Sequence, residues 1–166
     1  MSSELDRIIH PPIANDTPDG IGLTRFMVSC PGNASQVLSL ARRTLSTSLQ
    51  LTKDCVFEES VWISKLPKEF VSNCADRHSQ EEIESDLSLP VDLRAEKQHW
   101  ERWSVYMFMN SFRPDLEAKQ WRWWNAEKVD ENTIRVDVVS DDWPFPSEAL
   151  RWLFRGSGAS DVEIEA

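Results

Sequence analysis

Apolar and polar residues alternate along residues 21–30. The alternation puts Phe26, Val28 and Cys30 on one side, so a strand is predicted that stops at Pro31-Gly32. Asn33 is a good helix N-cap, with Gln36 three residues on completing a capping-box pattern. In the helix that follows, Val37, Leu38, Ala41, Leu45 and Ser48 share a face, and Arg42 and Arg43 sit toward the end where the helix dipole favours cations. Residues 49–58 then read as a second strand with Leu49, Leu51 and Val56 inward. Val61-Trp62-Ile63 is a short apolar run, and Pro67 suits the first turn of a short helix carrying Phe70 and Val71.

Further on, residues 103–112 are densely apolar and aromatic and read as a strand buried on both faces. A helix running from Leu93 into Trp103 is the alternative. Arg113-Pro114-Asp115 makes a turn. Residues 121–129 and 133–140 form a hairpin across Asp130-Glu131-Asn132, with Trp121 and Trp123 on one face and Trp124 on the other. On its second strand Ile134, Val136 and Val138 oppose Thr133, Arg135 and Asp137. Ser147 caps a helix carrying Ala149, Leu150, Leu153 and Phe154, stopped by Gly156 and Gly158. The predicted fold is α+β: an antiparallel sheet of about four to six strands with an early helix and a C-terminal helix packed on one face.

At 166 residues the chain is read as a single domain, 1–166. Prolines make residues 1–20 an irregular N-terminal arm, in which Leu5, Ile8 and Ile9 suit one docked turn. Residues 76–101 hold Asp76, Glu81, Glu82, Glu84, Asp86, Asp92, Glu96 and Glu101 against Arg77, Arg94 and Lys97, and read as a mobile acidic connection. Ser79 is placed to start a short helix within it. Residues 156–166 form an acidic tail, frayed or a weak edge strand.

The formal net charge of −10 repels phosphate backbones and anionic lipid surfaces. A protein partner with a basic surface or cleft is what this field attracts; nucleic acid and membrane are not expected. No stretch approaches the ~18 apolar residues of a membrane span, and Met1-Ser2-Ser3-Glu4-Leu5-Asp6 has no secretory pattern. A cytoplasmic location is therefore expected.

Candidate chemistry is sparse. Cys30, Cys55 and Cys74 contain no CxxC pair, and His10, His78 and His99 lie far apart in sequence, so neither metal ligands nor a cofactor site is expected. Gly20-Ile21-Gly22 lacks the third glycine of a dinucleotide loop, and no Walker lysine or Gly-x-Ser-x-Gly elbow occurs. Among the paired acids, Asp130/Glu131 read as a solvated turn. Asp141/Asp142 precede Trp143-Pro144-Phe145-Pro146, where two prolines lower the entropy cost of presenting them.

In size, acidity, lack of a catalytic constellation and aromatic hairpin, the chain resembles the immunity proteins that protect bacteria from polymorphic or contact-dependent toxins. That resemblance implies a non-catalytic inhibitor that occludes a toxin's active site. The partner-binding residues it selects are Asp137, Asp141, Asp142, Trp143, Trp123 and Glu127, the acids replacing substrate phosphates and a tryptophan anchoring the contact. One alternative is a small enzyme or ligand-binding domain with a Trp/Met-lined pocket and Glu127 as base. Another is an adaptor subunit of a bacterial complex.

Overall fold

The computed structural model describes residues 3–18 and 22–165, excluding the side chains of residues 98–100. Ile21, the first residue of the first predicted strand, and the His99 side chain lie outside the described residues. Four strands form one antiparallel sheet in the order β2-β3-β1-β4: β1 (Gly22–Ser29), β2 (Trp121–Asp130), β3 (Thr133–Ser140) and β4 (Asp161–Ile164). The long helix α2 (Ala34–Lys53) and the C-terminal helix α8 (Glu148–Arg155) pack together on one face. The α+β class, its early helix and its C-terminal helix are as predicted.

Alternation in the strands builds the core. Phe26 and Val28 of β1, Ile134, Val136 and Val138 of β3, and Trp121 and Trp123 of β2 are all buried. Trp123 stacks on Phe154 of α8 at 6.1 Å between ring centroids. A bulge at Trp124 shifts the phase of β2, so Ala126 follows Trp121 and Trp123 inward while Glu127 pairs with Arg135 on the outer face. The hairpin tip is tied down: Cys30 N–H donates to the Asn132 carbonyl at 2.7 Å and Gly32 N–H to the Asn132 side chain at 2.9 Å.

Two predicted strands are helical. Residues 49–53 continue α2, because Leu51 extends the buried face already carrying Ala41, Leu45 and Ser48, and the Leu49–Leu51 alternation is too short to outweigh it. Residues 105–111 form α7 (Val105–Ser111), with Ser104 accepting from Met107 N–H at 3.1 Å. Val105, Phe108, Met109 and Phe112 recur at helical spacing and are buried. Phe108 and Phe112 join Trp62 of α3 (Glu59–Lys65) and Phe70 of α4 (Lys68–Asn73) in an aromatic cluster with centroid distances from 5.0 to 6.5 Å. At the predicted caps Asn33 and Ser147, the helices start where expected, but neither side chain bonds the helix end.

The N-terminal arm is more ordered than its prolines suggest. Ser3 and Asp6 form a reciprocal capping box on α1 (Glu4–Ile9), and Ile8 is buried. The acidic stretch holds two helices, α5 (Gln80–Leu87), capped by Ser79, and α6 (Val91–Trp100). The tail is edge strand β4, paired with β1.

Candidate functional site

The sequence-selected residues fall in three places. Trp123 is buried on the helix-covered face, so it is core and not an anchor for a partner. Asp137 and Glu127 lie on the outer sheet face, each already paired. Arg25 donates to Asp137 through Nε at 2.8 Å and Nη2 at 3.1 Å, leaving the Asp137 side chain 13% exposed, and Arg135 pairs with Glu127. Register explains both pairs, since Arg25 stands opposite Asp137 and Glu127 opposite Arg135. Asp141, Asp142 and Trp143 remain together, on the elbow leaving β3.

That elbow borders a cleft of about 700 Å³ at the end of the sheet where β2 begins and β3 finishes. Glu4, Phe112, Lys119, Trp121, Arg122 and Asp141 are among its walls. Lys119 Nζ donates to both Glu4 carboxylate oxygens, at 2.9 and 3.0 Å, and to the Trp121 carbonyl at 2.7 Å. It also lies 4.4 Å from the Trp121 ring centroid. The Trp123 N–H donates to Glu4 at 2.8 Å, so one carboxylate joins α1 to the free edge of β2. Arg7 holds the arm from the other side, donating to Asp16 at 2.7 Å and stacking over Trp124.

On the elbow, Arg122 binds Asp141 bidentately at 2.9 and 3.1 Å. The hydrogen bonds and charge of Arg122 hold the Asp141 carboxyl below the usual carboxylate range, so it stays anionic. Asp142 accepts from Trp143 N–H at 2.9 Å. Trp143, 54% exposed, packs edge-on against Phe145, which packs edge-on against core Phe26. The Trp143–Pro144 peptide is cis. An exposed indole thus stands on a pedestal tied to the core. Two cleft hydroxyls are committed to helix backbone, Ser111 to the Phe108 carbonyl and Thr52 to the Ser48 carbonyl. Trp121 has a buried Nε1 without a hydrogen-bond partner among the described residues.

Sequence reading missed Glu4 and Lys119. The Ser3-x-x-Asp6 cap marks where α1 starts, but no local pattern reveals a partner 115 residues away. It also found no histidine at metal-ligand spacing from another. The fold brings His78 to Asp86 and Glu101, with one potential ligand atom from each within 4.8 Å of the others. No family model matches this chain, and no curated protein or solved structure matches it either.

Proposed function

We propose that this protein acts by binding another protein through its 141–146 elbow, as a stoichiometric inhibitor of the immunity-protein kind. The observation carrying this reading is Trp143, a large aromatic surface held outward by Phe145 and Phe26 beside the cleft. A pre-positioned tryptophan loses little entropy on binding and is a recurrent interface hot spot. The net charge of −10 favours a partner with a basic surface and speeds encounter with it.

Of the acids at the elbow, Asp142 faces a partner without an arginine clamp among its hydrogen bonds, whereas Asp141 is shared with Arg122. Trp143 and Asp142 therefore carry the proposed contact. Asp137, tied to Arg25, supports the sheet.

The test is quantitative affinity capture from the organism that encodes the protein, followed by affinity measurement with the recovered partner. Trp143→Ala is expected to cost about 2 kcal/mol or more of binding. Asp142→Lys is expected to slow association, and Glu81→Lys/Glu82→Lys to leave the affinity unchanged. Equal affinity of wild type and Trp143→Ala would sink the proposal.

A second reading rests on the cleft itself, lined by Trp121, whose buried Nε1 has no hydrogen-bond partner among the described residues. It predicts saturable small-molecule binding that Trp121→Phe removes while partner capture is retained.

A further inference from the structure

We infer that His78, Asp86 and Glu101 form a binding site for a divalent transition-metal ion of the Zn²⁺ class, at the base of the α5–α6 helix pair. The three side chains come from separate points of the chain. His78 precedes α5, Asp86 lies in its last turn, and Glu101 is the residue that ends α6. A metal held by all three closes the excursion at its root.

Geometry and donor chemistry agree with this assignment. His78 Nε2 contacts the Glu101 carboxylate, and His78 Nδ1 stands 3.9 Å from Asp86 Oδ2. That second separation is too long for a hydrogen bond. An ion takes only one nitrogen of an imidazole, so the ring must turn before one of its nitrogens, Asp86 and Glu101 share an ion. Two donors each about 2.1 Å from a tetrahedral ion lie about 3.4 Å apart, and one donor atom of each side chain already lies within 4.8 Å of the others. The set of one imidazole and two carboxylates is of the type that binds borderline divalent ions, and three protein ligands leave a position for water. The side chains are 19%, 19% and 14% exposed for His78, Asp86 and Glu101, half-buried and still reachable from solvent.

Lys97 supports the arrangement. Its ammonium engages Asp86 Oδ1, the oxygen opposite the one that faces His78. It thereby orients the carboxylate without covering the ligating oxygen, the role outer partners play around metal ligands. Two carboxylates against one ammonium leave a local negative excess that attracts a cation. Neighbouring Arg77 is directed elsewhere, 3.8 Å from Glu59 and stacked on Tyr106.

The site also fits its surroundings. No residue of α5 is buried, and Ile83, Leu87, Val91 and Leu93 of the pair stay exposed. Helices this short are marginal without packing, so contacts at the base carry much of the burden of holding them. A metal adds a cross-link where apolar burial is missing.

The test is calorimetric titration of the full chain with ZnCl₂ in a Cys55→Ser background, which removes the exposed thiol. The expected result is saturable one-to-one binding, weakened at least about tenfold by His78→Gln and by Glu101→Gln, with slowed amide exchange across residues 80–100 on zinc addition. Absence of saturable binding up to about 1 mM zinc overturns the inference. So does undiminished binding by His78→Gln, or a tenfold loss in Cys74→Ala, which would place the ion on the thiol. The readouts do not involve the elbow, so this result and the fate of the partner-binding proposal are independent.

Discussion

The Glu4 carboxylate is shared between the Lys119 ammonium and the Trp123 backbone N–H, with both side chains largely buried at 15% and 11% exposure. Removing it leaves the Lys119 ammonium without its carboxylate, held only by the Trp121 carbonyl and ring, and takes the acceptor from an edge-strand donor. Hydrogen bonds to charged groups are worth about 1.5–3 kcal/mol each. Glu4→Ala is therefore expected to lower the unfolding free energy by about 2–3 kcal/mol in urea titration. Glu4→Gln, whose amide oxygen still accepts, should lose less. A change within about 0.5 kcal/mol for Glu4→Ala would show that the arm does not stabilise the fold. The contrast with Asp137 shows what single residues disclose in sequence. Alternation correctly placed Asp137 on the polar face of its strand, but not its engagement by Arg25, because that pairing depends on a register between strands more than 100 positions apart. Trp123 was visible as one of a same-facing pair. Which face the helices would cover was not.

At the scale of elements, hydrophobic period was readable wherever an element packs on the sheet. β1, the β2–β3 hairpin and α8 follow from it directly. It failed for α7, where apolar residues on all sides hid the i, i+3, i+4, i+7 spacing of Val105, Phe108, Met109 and Phe112, although Ser104 stood ready as a cap. It had least to work with in α5 and α6, whose described side chains contribute little to the core. There the backbone is fixed mainly at its two ends: Ala75 N–H donates to the Trp103 carbonyl at 2.9 Å, and Arg102 donates to the Asn73 and Cys74 carbonyls. Segments with few buried apolar contacts open at lower free energy than the body of a fold. Limited trypsin digestion under native conditions is expected to cut first within residues 76–101, at Arg94 or Lys97, before any cut in α2 or α8. Mass spectrometry of the earliest fragments checks this, and first cuts in α2 would refute it. If the zinc site forms, added zinc should delay these cuts, and His78→Gln should abolish the delay.

For the whole molecule, burial and charge together set how stability depends on pH. Asp141 is held below the usual carboxylate range by Arg122, Asp16 by Arg7, Asp115 by Arg113 and Asp6 by its bonds with Ser3. Their contribution is present above the ordinary carboxylate pKa near 4 and is lost as pH falls through the lowered folded values. These groups are exposed, so the acid limb should be shallow. The alkaline limb has a different origin. Burial pushes the Cys30 and Cys74 thiols up to about 11, against an unfolded thiol near 9. Below about pH 9 both states keep these protons. Between about 9 and 11 the unfolded chain releases them while the folded chain retains them, so stability falls as pH rises through that interval. Urea unfolding from pH 7 to 11 should show the decline. Cys30→Ala/Cys74→Ala should lower stability at pH 7 through lost packing, yet flatten the slope between 9 and 11. A slope that survives the double substitution undiminished would assign the alkaline loss to groups outside the core.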